Sequence, residues 1–209
     1  MKTRTYNIES RHRQQALLKD GIAAATAELH AAKGVFATSY ADIAKRAGVS
    51  PPTVYKHFST QHELLQGCTL HVIAKAPEMP VEKIMAAPDL PAAAELLVAA
   101  MEQQHLHFEP WLAWREDRVI PFLAEMAVGI RQSHASLVAK LLAHHLGPGE
   151  RREMVAGWES VLSFDFWHRL VRGHQLPRHA ARRVLVQCLL AVVGPTPASP
   201  PTQVPRRKP

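Results

Sequence analysis

Between Thr38 and Leu65 the sequence sets three helix starts and two tight turns so close together that only short, sharply crossed helices fit. Ser39-x-x-Asp42 reads as an acidic form of the capping box: the serine accepts from an orphan amide, and the aspartate sits in the first turn, where negative charge is favoured. The helix that follows would turn Ile43, Ala44 and Ala47 inward and Lys45 and Arg46 outward. Gly48 ends it, because glycine enters the left-handed region without a Cβ penalty. Val49 fills the angle, Ser50 reads as the next N-cap, and Pro51 occupies a first position where the missing N–H costs nothing. Two short helices around a glycine turn make a helix-turn-helix. Thr60-x-x-Glu63 reads as a second capping box and opens the helix carrying Leu64 and Leu65.

The second short helix, Pro51 to about Phe58, is chemically one-sided. Val54 and Phe58, four apart, face inward, which leaves Thr53, Tyr55, Lys56 and His57 outside. Hydroxyl, phenol, ammonium and imidazole donors on one short helix suit phosphate oxygens and base edges in a major groove.

With these residues the chain resembles the tetracycline-repressor (TetR/AcrR) family of bacterial regulators. The resemblance rests on Ile22, Ala25, Leu29, Gly34, Thr38, Ser39, Ile43, Ala44, Ala47, Gly48, Val49, Ser50, Thr53, Val54, Tyr55, His57, Phe58 and Leu64, and covers the N-terminal third. It implies an all-α fold in which a three-helix head sits on a larger helical body that binds an effector and dimerises. It also implies that the helix after the head is a connector passing ligand-induced movement to it. Two positions depart from the pattern: Gln61 stands where a phosphate-contacting lysine is usual, and Pro52 where a small residue, often glycine, lets DNA approach. The expected contacts to DNA are Ser39, Tyr40, Ser50, Thr53, Tyr55, Lys56 and His57, with Tyr55 and Lys56 on phosphate.

Charge points the same way. The chain of 209 residues carries a formal +7, and residues 1–59 hold nine Lys and Arg against four Asp and Glu, whereas residues 60–205 hold thirteen against fourteen. Arg206, Arg207 and Lys208 add the remaining +3, so the excess sits on the N-terminal third and the tail and not on the body, the footprint of a nucleic-acid reader with a separate effector domain. Residues 1–13, with Lys2, Arg4, Arg11, His12 and Arg13, read either as an arm laid on DNA or as a solvated end. Cys68 and Cys188 read as free thiols of a reducing compartment. With no signal-like or membrane-spanning apolar run, the expected location is cytoplasmic.

The expected domains are 1–59 for the helix-turn-helix head, 60–194 for the effector-binding and dimerisation body, and 195–209 for a Pro-rich basic tail that reads as disordered. Expected helices run from about Gln14 to Lys33, Thr60 to Lys75, Val81 to Met85, Asp89 to Glu109, Asp117 to Leu146, Gly149 to Arg172 and Pro177 to Val193. The last two are apolar on more than one face and need a partner surface, so a homodimer through this pair is expected.

Catalytic chemistry has little to stand on. Although there are thirteen histidines, no two are three or four apart, and His62-Glu63-Leu64-Leu65-Gln66 lacks the second histidine of the zinc-protease pattern. Glu102, His105 and Glu109 share a helical face that reads as solvated or pocket-lining, with metal binding the lesser reading; Asp165 and His168 read as an intrahelical polar pair. No cofactor and no metal are expected. His105, Phe108, Trp111, Trp114, Phe122, Phe164 and Trp167 could line a small-molecule cavity, or simply fill the core. The function indicated is a ligand-responsive regulator, a repressor that binds a palindromic operator as a homodimer and is released by an effector. The alternatives are a small-molecule-binding dimer with a degenerate head, and a helical enzyme.

Overall fold

The computed structural model describes residues 3–194, all of whose regular structure is helical. The expected Pro-rich tail, 195–209, lies outside the described residues, as do Met1 and Lys2. In chain order the helices are α1 (Thr3–Lys33), α2 (Tyr40–Ala47), α3 (Pro51–His57), α4 (Gln61–Ile73), α5 (Val81–Met85), α6 (Leu90–Leu112), α7 (Pro121–Leu146), α8 (Arg152–Val161), α9 (Phe164–His168) and α10 (Arg178–Val193). A 3₁₀ turn, Glu116–Arg118, precedes α7, and a π turn, Arg169–Gly173, follows α9.

The all-α fold expected from the sequence is what forms. Four helix boundaries differ, each for a local reason. The first helix begins at Thr3 rather than near Gln14, so residues 3–13 are already helical. Apolar periodicity begins only at Leu18, but nothing before it breaks a helix, and residues 9–17 form solvent-exposed turns. Helix α6 runs through Pro110 to Leu112, since one internal proline removes a single backbone bond without cancelling the packing of the next turn. Arg115 takes a left-handed conformation (φ 60°), which delays the next helix to Pro121. The expected helix from Gly149 to Arg172 is broken at Ser163, whose extended backbone and Oγ, accepting from Phe166 N at 3.3 Å, cap a new helix.

Two compact units divide the chain: residues up to 79 with 100–133, and residues 80–99 with 134 onward. In the first, α1 packs on α2 and α4, and α2 on α3. Ile22, Ala23, Ile43, Ala44, Val54, Phe58 and Leu64 form the core of this helix-turn-helix end, closed by Leu18, Leu29, Ala47 and Val49. Burying each of its large side chains contributes about 1.5–3 kcal/mol. A second cluster, Ala27, Val35, Leu65, Cys68 and Val72, is covered by Phe108, Trp111, Ile120, Phe122 and Leu123.

In the second unit, Asp89 caps α6 by accepting from Ala92 N at 2.8 Å. Its core includes Ile84, Leu97, Leu141, Leu142, Trp158, Trp167, Leu185 and Leu189. Helix α10 packs on α8, where Gly157 lies so close to Val192 that an added Cβ would come within 2.9 Å of Cγ1. Ala181, Leu185 and Leu189, four apart, are its buried face, while Val184, Val186, Cys188, Leu190 and Val193 are only half-buried. No helix among the described residues is long and apolar enough to cross a membrane.

Candidate nucleic-acid interface

The chain enters the helix-turn-helix through a turn that is fixed at both ends. At Gly34 (φ 78°) α1 stops, and the amides of Val35 and Phe36 point at one carboxylate: Glu116 accepts from Val35 N at 2.8 and 2.9 Å and from Phe36 N at 3.2 Å. A Cβ on Gly34 would lie 2.8 Å from Glu116 Oε1, so glycine is needed there for space as well as for its backbone angle. Trp111 and Trp114, just before Glu116, donate their indole N–H groups to Ala27 O at 2.8 Å and Ala31 O at 3.1 Å.

Helix α2 then starts with a full capping box. Ser39 Oγ accepts from Asp42 N at 3.1 Å, and Asp42 Oδ2 accepts from Ser39 N at 3.1 Å and from Ser39 Oγ at 2.7 Å. Lys33 pairs with the same carboxylate at 2.8 Å; that hydrogen bond first, and those from Ser39 next, hold Asp42 well below the usual carboxylate range. The Ser39 hydroxyl proton is thus already committed within the protein. Arg46 pairs with Glu28 of α1. Gly48 (φ 68°) closes α2 as expected, donating to Ala44 O and Lys45 O.

Helix α3 begins on Ser50 and Pro51, but not by the cap read from the sequence. Ser50 makes no side-chain cap; its hydroxyl instead bonds that of Thr53 at 2.8 Å. The following box is also displaced, since Glu63 Oε2 accepts from the N–H and Oγ of Ser59, both at 2.8 Å, while Thr60 Oγ1 accepts from Glu63 N. The bonds from Ser59 lower the Glu63 pKa.

Val54 is fully buried and Phe58 nearly so, which turns the rest of α3 outward. Tyr55 and Lys56 are exposed, and Thr53 and His57 half-buried. The rings of Tyr40 and Tyr55 stack at 4.2 Å with their planes 4° apart. This contact, for which the sequence gives no signal, joins the start of α2 to the outer face of α3. Desolvation first, then Tyr55 and Glu63, raise the Tyr40 pKa, so its phenol is a neutral donor at neutral pH. Among the described residues Lys45 and Lys56 have no acidic partner. Pro52 is exposed in the first turn of α3, and Gln61 is exposed at the start of α4.

The side chains expected to meet a small molecule fall in both units. In the first, Trp111 and Trp114 are tied to α1, and Phe108 and Phe122 pack on the cluster around Cys68. Glu102 and His105 are buried, so their face of α6 is not solvated. In the second, Trp167 is buried against Phe164, ring centroids 5.9 Å apart. The head also holds a cavity of about 160 Å³ lined by His30, Val35, Thr38, Tyr40, Ile43, Gln61, Leu64 and Leu65.

A capped, braced helix-turn-helix with an outward donor face defines a DNA-binding type of head. Residues 22–68, from Ile22 of α1 to Cys68 of α4, match the family model described as bacterial regulatory proteins, tetR family. Comparison with curated proteins gives no match. Among solved structures the fold is similar to that of a transcriptional regulator from Rhodococcus sp. Rha1, at 19% identity and a TM-score of 0.60, over 84% of this chain and 95% of that one. It is also similar to that of the multidrug binding protein EbrR complexed with imidazole, at 20% identity and a TM-score of 0.54, over 90% and 93% of the two chains.

Proposed function

We propose that this transcription regulator is a repressor that binds a palindromic operator as a homodimer and is released by a small-molecule effector. The observation that carries the reading is the outer face of α3, where Thr53, Tyr55, Lys56 and His57 stand clear of a core sealed by Val54 and Phe58. Lys56 and the Tyr55 phenol would meet phosphate; Thr53 and His57 would meet phosphate or base edges. Ser50 and Tyr40 flank them, and Ser39 would contribute as an acceptor or through its backbone, its proton being held by Asp42.

Dimerisation is favoured by α10, which leaves five apolar residues, Val184, Val186, Cys188, Leu190 and Val193, half-buried outside its buried face, and by the exposed Phe166. A two-fold axis through such a surface repeats the head, and a palindrome mirrors that symmetry. Effector control is favoured by one of the similar structures, a multidrug binding protein, and by the aromatic and histidine side chains of α6, α7 and α9. An effector that prefers one arrangement of the heads and a DNA that prefers another antagonise each other by linkage.

Genomic SELEX at about physiological salt, repeated with Tyr55→Phe and Lys56→Ala, tests the DNA reading. One palindromic motif weakened by both substitutions supports it. No enriched motif overturns it and favours a small-molecule-binding helical protein with a degenerate head, the reading that Pro52 and Gln61 would then explain. A monomer at micromolar concentration in analytical ultracentrifugation overturns the dimer.

A further inference from the structure

The cavity in the head has features that a packing defect lacks. Its volume of about 160 Å³ is room for a single ring and is well below the roughly 300 Å³ or more of a drug-sized site. Leu64, Leu65 and Ile43 give it an apolar wall, while Tyr40 and Gln61 bring polar groups to it.

His30 decides its chemistry. The imidazole lines the cavity, is 94% buried, and is held at one nitrogen only: Nδ1 lies 3.6 Å from Cys68 Sγ. The thiol donates its own proton to Leu65 O at 3.1 Å, so the hydrogen between the two side chains belongs to Nδ1, which donates to sulfur. A neutral imidazole with its proton on Nδ1 carries a bare acceptor at Nε2. Neutrality follows from burial, which lowers the His30 pKa to about 4 against a smaller opposing effect of Glu116. No described residue donates to Nε2, which leaves that acceptor to whatever occupies the cavity.

We propose that this cavity is a binding site in the head itself for a small, uncharged, planar ring bearing one O–H or N–H donor, of the phenol or azole class, with the donor on His30 Nε2 and the ring between Leu64, Leu65 and Ile43. A charged ligand is excluded, because among the described residues the cavity lining supplies no opposite charge to replace its hydration. Anything much larger than a single ring exceeds the volume. The proposal concerns the head alone and stands whether or not the operator reading holds.

Phenol and fluorobenzene, equal in size and differing in the donor, are the probes. Titrated into the full-length protein labelled with ¹⁵N histidine and ¹³C methyls, phenol should bind with a Kd of about 1 mM, as expected of a seven-heavy-atom fragment. It should move the His30 Nε2 resonance and show NOEs to Leu64 and Leu65 methyls. Fluorobenzene should bind about tenfold more weakly to the wild type, and His30→Leu should remove that preference. Should His30→Leu not fold, the wild-type NOEs and the Nε2 shift decide alone. Absence of NOEs to the leucines at about 10 mM phenol, equal affinity for the two probes, or a preference unchanged in His30→Leu each overturns the proposal and leaves a hydrated crevice.

Discussion

The Glu116 carboxylate and the Val35 amide, 81 residues apart in sequence, meet at 2.8 and 2.9 Å, so the turn that launches the helix-turn-helix is held by the segment between α6 and α7. Replacing that carboxylate should loosen the turn before anything else. Glu116→Gln keeps one acceptor oxygen and should cost about 1 kcal/mol, and Glu116→Ala about 1–3 kcal/mol, because two backbone donors lose a charged partner. Thermal denaturation measures the sum, and hydrogen exchange locates it. Val35 and Phe36 amides should lose protection while those of α3 keep theirs; uniform loss would show that the contact is not local.

Gly34 gives a sharper test of the same junction. Gly34→Ala meets two penalties: a left-handed backbone, worth about 1–2 kcal/mol, and a methyl 2.8 Å from Glu116 Oε1. Only the second disappears when Glu116 is truncated. The cost of Gly34→Ala should therefore fall by at least about 0.5 kcal/mol in a Glu116→Ala background. Strict additivity in a double-mutant cycle would mean that the carboxylate yields freely and that only the backbone angle matters.

The head was legible because its punctuation is local. Ser39, Gly48 and Pro51 act within one turn of themselves, and Val54 and Phe58 declare their face by spacing alone. Ser50 and Glu63 show the limit, since a hydroxyl or carboxylate with two partners in reach takes either, and here Thr53 and Ser59 win. Contacts made by folding back were invisible. Nothing near Glu116 marks it as a cap for a turn 80 residues earlier, nor do Tyr40 and Tyr55 announce a stack. The break at Ser163 was missed because apolar residues continue on both sides of it, and periodicity cannot register a cap within a hydrophobic run.

Burial of His30 makes stability depend on pH in a defined direction. The folded-state pKa is about 4 against 6.5 for the free side chain, so between these values the unfolded chain binds a proton that the folded chain does not. Above pH 6.5 the histidine contributes no slope; as pH falls from 6.5 to 4 stability should drop, by up to about 3 kcal/mol from this residue. His134 and His145 are shifted the same way, mainly by burial, and add to the slope. Urea denaturation across pH 4–7 in wild type and His30→Gln isolates the His30 share. An unchanged slope in the variant would mean that the imidazole charges in place.

Cys68 should be inert while the fold holds. Burial pushes its thiol up to about 12, and the thiolate that reacts with alkylating reagents is then almost absent at neutral pH. Iodoacetamide should reach Cys68 only through opening of the head, so its labelling rate should rise with urea in step with unfolding. Mass spectrometry of the Cys68 peptide over time gives that rate; modification faster than the opening rate measured by hydrogen exchange would show a thiol more open than its 3% exposure.

Lys56 and Tyr55 should separate electrostatic from geometric contributions to DNA binding. The ammonium of Lys56 is exposed and has no acidic partner among the described residues, so its transfer to a phosphate releases a counterion without breaking an ion pair. Lys56→Ala should weaken binding to every sequence alike and reduce the slope of log K against log salt by about 0.9 per protomer. Tyr55 is not a cationic side chain and displaces no counterion. Tyr55→Phe keeps the ring stacked on Tyr40 and should lower affinity with the slope unchanged, whereas Tyr55→Ala also removes the brace and should cost more. Fluorescence anisotropy with a selected operator between about 50 and 200 mM salt reads both quantities. Equal losses for Tyr55→Phe and Tyr55→Ala would show that the phenol hydroxyl matters and that the stack does not position α3.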